Sequence, residues 1–225
     1  MTQIGEKLSR LYGSFNRTGL NDSIGSWAGT IFFTFWIGQR FYFSQGRSFL
    51  WWLITLQFLL FVLAYLTRQK AREHARGFRE MVFPFICAGM PFALENYPFK
   101  PMGRPIADAE LLYSGLMISG TILIIWGVLY LRRSFSIMAE VRSLTTTGIY
   151  RITRHPMYLG SLLSSAGILL ALFNILNLFI FMVFFACQIY RAFLEEEKIM
   201  AILPEYRIYA ARVGWFWILG RRRLG

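Results

Sequence analysis

The sequence predicts an all-α, polytopic membrane protein with five to six transmembrane or re-entrant helices and a C-terminal helical cap at the cytoplasmic face. Three observations predict it. Apolar residues make up 56% of the 225-residue chain and charged residues 16%, against about 45–50% and about 25% in ordinary soluble domains. So short a chain has too little interior to hide that excess. The apolar residues come in long runs, and most of the 24 Lys and Arg fall in the gaps between them, the layout of membrane spans and their loops. The net charge of +12 therefore does not mark a nucleic-acid binder, and the apolar content excludes disorder.

Crossing the ~30 Å hydrocarbon core takes about 20 helical residues. Trp27 to Ser44 is the first candidate, with Gln39 and Arg40 near its end. Phe49 to Leu66 is the second, and the short link Gln45-Gly46-Arg47-Ser48 makes the two an antiparallel hairpin. Met81 to Tyr97 holds Pro84, Pro91 and Glu95, which predicts a kinked or incompletely spanning helix. Leu111 to Leu131 is the cleanest span, free of charge. Met157 to Tyr190 is too long for one crossing, and Asn174 and Asn177 at its midpoint predict two helices joined by a turn at Phe173 to Asn177.

Orientation follows from the basic residues. Thr67 to Glu80 carries five basic residues against two acids, Arg132 to Pro156 five arginines against Glu140, and the tail from Arg191 seven basic residues against four acids. The Pro98 to Glu110 link is balanced, two and two. The three basic segments are expected on the cytoplasmic side with both termini inside, an even number of crossings. Residues 1–225 read as a single integral membrane domain, without a signal peptide, because the first apolar run starts near Trp27. Cys87 and Cys187 lie inside apolar stretches and support neither a disulfide framework nor a metal site.

Three polar segments stand out. In Gly148 to Gly160, Pro156 suits the first turn of a helix, which leaves His155 near the cap in an extended conformation. Arg151 and Arg154 add positive charge where a helix N-terminus already favours an anion, and Tyr150 and Tyr158 add aromatic faces. The plainer reading is a membrane-interface loop. Gln188 to Lys198 follows the last apolar run and carries Arg191, Glu195 and Glu196. Arg191 and Glu195, four apart, make an ordinary helix pair or face a polar cavity, since ionisable groups at membrane depth are costly unless they serve a site. In Leu203 to Val213, Tyr206, Tyr209 and Val213 share one face of a short interfacial helix. Arg221, Arg222 and Arg223 suit anionic headgroups of the membrane lipids.

These segments, in this order, resemble the isoprenylcysteine carboxyl methyltransferase and phospholipid methyltransferase superfamily of integral membrane enzymes. The family pattern R-H-P-x-Y-x-G is Arg154 to Gly160 here; R-x-x-x-E-E is Arg191 through Glu195-Glu196; Y-x-x-Y-x-x-x-V is Tyr206, Tyr209 and Val213. The match covers roughly the last 80 residues. Two departures are visible: Gly214-Trp215-Phe216-Trp217 stands where the family usually has prolines, and Leu203-Pro204 replaces a frequent Phe-Gly.

The resemblance implies S-adenosylmethionine as methyl donor, bound by Tyr150, Arg154, His155, Pro156, Tyr158, Leu159, Gly160, Glu195, Glu196 and Tyr206. It implies Arg191 and Glu196 as the catalytic pair, no metal, a scaffold at 1–131 and a cofactor-binding and catalytic region at 132–225. No strand followed by G-x-G-x-x-G is present to offer a Rossmann-type site instead. The implied acceptor is a lipid-like or prenylated molecule entering from the bilayer. Carboxyl O-methylation of a prenylcysteine-type substrate comes first, with amine N-methylation of a phospholipid or S-methylation of a small thiol as alternatives. A carboxylate is ionised at neutral pH and needs a cation to hold it, which Arg191 offers bidentately. An amine must lose a proton, and Glu196 or His155 is placed to assist. Tyr158 or Tyr190 offers a ring face to the sulfonium. An NADPH-dependent sterol reductase resembles the same region, but usually has Asn after His-Pro and an acid after Gly, where Met157 and Ser161 stand here.

Overall fold

The apolar runs fold as helices with no strand among the described residues. The computed structural model describes residues 20–43, 48–96 and 109–215. In chain order these give α1 (Leu20–Phe43), α2 (Phe49–Thr67), α3 (Gly77–Asn96), α4 (Glu110–Leu131), α5 (Pro156–Ala171), α6 (Ile175–Ile202) and α7 (Tyr206–Arg212). The links at 44–47 and 97–108 and the Arg221–Arg223 cluster lie outside the described residues. Six long helices stand where six apolar passes were expected. Three stretches are long and apolar enough to cross a membrane: Phe49–Thr67, Glu110–Ser134 and Ile175–Ile202. Helix α5 is apolar but shorter. Large apolar side chains cover the outside, including Leu111, Phe49, Ile175 and Phe179, as an all-α polytopic membrane protein requires.

Local chemistry sets the boundaries. Ser48 caps α2 by accepting from the Trp51 N–H at 3.2 Å. Helix α3 starts four residues before Met81, at Gly77, whose φ of +66° turns the chain out of the basic loop at no steric cost. Both Pro84 and Pro91 lie inside that helix. The expected turn in the last apolar run falls at Leu172 to Asn174. The Asn174 side chain accepts from Asn177 N–H at 2.8 Å, and the Asn177 amide donates to Leu172 O at 2.7 Å. Helix α6 does not stop near Tyr190 but continues twelve residues to Ile202, because Ala192 to Lys198 is rich in strong helix formers. Its 28 residues make about 42 Å of helix, more than the hydrocarbon core spans.

Helices α4 and α5 form the most extensive pair, antiparallel, and small residues bring their backbones together. A Cβ on Gly120 would lie 2.5 Å from Gly160 O, and one on Gly167 2.6 Å from Tyr113 O. Helices α1 and α2 pack through Phe33, Phe58, Phe61 and Tyr65, and the loop after α4 plugs this cluster with Phe135 and Ile137. The Phe61 and Phe135 rings stack at 4.9 Å.

The two basic loops fold onto each other at one end of the bundle. Glu73 and Val141 exchange backbone bonds, Glu73 N–H to Val141 O at 3.2 Å and Val141 N–H to Glu73 O at 3.1 Å, and Arg72 N–H also donates to Val141 O at 2.7 Å. Glu140 is buried between Arg68 (3.3 Å) and Arg142 (2.8 Å) and accepts from Ser136 (2.8 Å). Lys198 of α6 donates to His74 O, Ala139 O and Glu80. The three segments singled out by their basic excess thus share one end.

Candidate functional site

At that end the start of α5, the last turns of α6 and α7 meet around Glu196. His155 is the N-cap of α5 with φ −126°, ψ 57°, not the extended pair expected, and Pro156 occupies the first turn. His155 Nε2 lies 2.9 Å from Glu196 Oε1, Arg154 Nε 3.1 Å from it, and the Tyr206 hydroxyl donates to it at 3.0 Å. One buried carboxylate oxygen thus ties together all three segments. Arg154 also donates to Ala210 O at 3.3 Å. Tyr209 donates to Tyr150 O at 2.6 Å, which fixes α7 against the turn before α5.

The second half of the site faces inward. The Tyr158 hydroxyl donates to Glu195, and its ring stacks beside that of His155 at 5.4 Å. The Arg191 guanidinium lies over the Tyr158 ring, 4.9 Å from its centroid. It does not pair with Glu195. It donates to Gln188 Oε1 at 3.2 Å and to Ile137 O at 3.0 Å, while its Nε has no partner. Gln188 in turn donates to Ser161 at 2.6 Å. The segment after α7 closes the site from outside: Arg154 N–H donates to Gly214 O at 3.1 Å, Thr153 to Trp215 O at 2.5 Å, and the Trp215 ring packs edge-on against His155.

Burial raises the hydroxyl pKa of Tyr150, Tyr206 and Tyr209 above the ordinary tyrosine value. After burial, the negative charge of Glu195 acts on Tyr150 and that of Glu196 on Tyr206, in the same direction. All three are neutral hydrogen-bond donors at neutral pH.

A cavity of about 300 Å³ runs from this polar end into the bundle, within the size range of small-molecule sites. Tyr150, Arg154, His155 and Pro156 line its polar end with Tyr158, Arg191, Glu195 and Tyr206. Phe33, Ile54, Phe58, Phe61, Phe92 and Ile124 line the apolar arm. The charged groups in the wall are mostly paired: Arg142 with Glu140, Arg154 with Glu196, Lys198 with Glu80. Arg191, 6% exposed, has no acidic partner among the described residues.

Not every residue expected at the site lines the cavity. Glu196 stands behind His155, Leu159 packs with Tyr158 and Ala192, and Gly160 is spent on contact with α4. Tyr190 lies away from the site, against Phe83 and under Arg79. Sequence reasoning missed Ile137, whose carbonyl receives Arg191 and whose N–H donates to Tyr65 at 2.7 Å. No local signal marks it. It also missed Gln57, although an amide at the middle of a span was visible.

Apolar helices around a cavity that is polar at one end and apolar at the other are those of an integral membrane protein. Residues 111–206 match the family model of phospholipid methyltransferases, part of the isoprenylcysteine/phospholipid methyltransferase superfamily of membrane proteins. The match takes in the first two motifs and the first residue of the third, and it reaches back to include α4. The family is one of methyltransferases. No curated protein and no solved structure matches the chain. The matched stretch leaves out α1 to α3, which supply most of the apolar arm.

Proposed function

We propose that this protein transfers a methyl group from S-adenosylmethionine to a lipid-like acceptor at the cytoplasmic edge of the membrane, with a prenylcysteine-type carboxylate as the first reading of that acceptor. The observation that carries the reading is Arg191. A buried guanidinium without a counter-ion is costly, and this one has an unpartnered Nε and stands between Tyr158 at the polar end and Ile137 of the apolar cluster. An anionic group on a molecule whose tail fills the apolar arm completes it.

The donor set fits the cofactor. Glu195 offers a carboxylate to its ammonium, Tyr150 and Tyr158 offer ring faces to a sulfonium, and His155 and Arg154 offer polar contacts. When bound, S-adenosylmethionine would supply an electrophilic methyl group. The chain's own residues then have two tasks. Arg191 holds the acceptor anion and needs no base to activate it, because a carboxylate is already ionised. The loop at Phe135 to Ile137 and the Trp215 cap exclude water, so that held reactants stay aligned. Glu196 acts as a positioning residue, fixing His155, Arg154 and Tyr206 from behind.

A second reading rests on Glu195, which lines the cavity beside Arg191, and on the description of the matched family. A phospholipid amine would place its phosphate on Arg191 and its ammonium toward Glu195, which is placed to take the proton.

Calorimetry in detergent with S-adenosylmethionine and with NADPH, followed by transfer of a labelled methyl into a membrane extract, tests the proposal. We expect binding of S-adenosylmethionine and a labelled lipid whose label is base-labile for an ester and stable for an amine. Arg191→Ala should keep cofactor binding and lower turnover by on the order of 100-fold. Binding of NADPH alone would remove the reading.

A further inference from the structure

Gln57 sits at the middle of α2, ten residues or about 15 Å of helix from its basic end at Thr67. It lies on the inward face with Phe61, Ala64 and Tyr65, while Leu56, Leu59 and Leu63 point outward. The residue is 8% exposed and lines the cavity. Its carboxamide makes no hydrogen bond among the described residues, so the amide is left to the cavity. Of the other polar groups at this depth, the Ser165 hydroxyl on α5 also lines the cavity without a partner but is fully buried in the helix pair. Thr121 and Ser164 both donate to Met117 O, at 2.7 and 3.2 Å, so they are satisfied within the α4–α5 pair. Gln57 therefore has no structural role that needs an amide.

Its height relative to Arg191 is fixed. Arg191 bonds the carbonyl of Ile137, whose N–H is held by the Tyr65 hydroxyl. Tyr65 and Gln57 are eight residues apart on α2, about 12 Å of helix. We infer that Gln57 is a second recognition point for the acceptor, donating to a carbonyl oxygen carried roughly 10 Å below its reacting end. The inference rests on the reading of the cavity as the acceptor site and selects the second reading above, a phospholipid with an acyl ester in that place, over a prenylcysteine, whose hydrocarbon tail carries no carbonyl there. A plain hydrocarbon tail leaves the amide unpaired. In a low-dielectric wall a single carbonyl contact discriminates well, because the lost partner is not replaced by water.

The test compares a diacyl phosphatidylethanolamine with its dialkyl ether counterpart of equal chain length. Retention of each lipid by the purified protein is measured by native mass spectrometry. Wild type should retain the diacyl lipid about tenfold better, and Gln57→Leu should retain both equally. The variant removes an unpaired amide, so its thermal unfolding temperature in lipid-free detergent should not fall. Equal retention by wild type, or a preference that survives in Gln57→Leu, overturns the inference. Methyl transfer is measured on the same samples: a carbonyl preference without transfer leaves the subsite standing and removes only the methyltransferase reading.

Discussion

At the scale of single residues, Glu196 shows how one carboxylate organises a site without facing it. Three groups from two segments converge on its Oε1: hydrogen bonds from His155 at 2.9 Å and Tyr206 at 3.0 Å, and the Arg154 guanidinium as an ion pair at 3.1 Å. Arg154 is 9% exposed, so removing the charge strands a cation in a poorly solvated place. Glu196→Gln keeps an acceptor but not the charge. It should cost about 2 kcal/mol of stability, the worth of a charge-assisted bond, read as a lowered unfolding temperature in detergent. Tyr206→Phe removes one neutral donor and should cost about 1 kcal/mol. If both variants melt like wild type, the convergence is not holding the three segments together.

At the scale of elements, the α4–α5 pair sets how the His-Pro helix entry is presented. Close approach depends on Gly120, where a Cβ would meet Gly160 O at 2.5 Å and Ser164 N at 2.6 Å. Both are backbone atoms of a helix and cannot yield. Gly115, on the same helix, faces open space. Gly120→Ala should destabilise by about 1–3 kcal/mol through overpacking. Gly115→Ala should be neutral or stabilise by up to about 1 kcal/mol through helix propensity. Thermal unfolding of the two variants side by side separates packing from propensity. Equal effects would mean that the pair tolerates a wider spacing.

At the scale of the whole molecule, the joined basic loops close the bundle over the cavity. Glu140 is their hub, its side chain 2% exposed between Arg68 and Arg142, which are exposed 2% and 1%. Breaking a buried ion cluster from one side costs more than the cluster contributes, because the partners keep their charge. Glu140→Ala should lose on the order of 3 kcal/mol and raise backbone hydrogen exchange at 134–143 and 68–74 together, since the two loops share their backbone bonds. Exchange rising in one loop alone would show that they are not a unit.

The helices were legible from composition and spacing alone. Composition and the spacing of basic residues are local properties, and a chain that must satisfy its backbone within a membrane has few ways to do so. The Asn174–Asn177 turn, the Pro156 helix start and the Tyr206 helix were readable because each depends on neighbours a few residues away. The ordered motifs also identified the matched family. Which of those residues face one another is set by how the helices pack. Glu195 and Glu196 are adjacent in sequence, yet a rotation of about 100° along α6 sends one to the cavity with Tyr158 and the other behind His155. Arg191 could have paired with Glu195 on its own helix; a carbonyl from Ile137, 54 residues away, and the ring of Tyr158 hold it elsewhere. Such contacts close only when distant helices pack, so no window of sequence contains them.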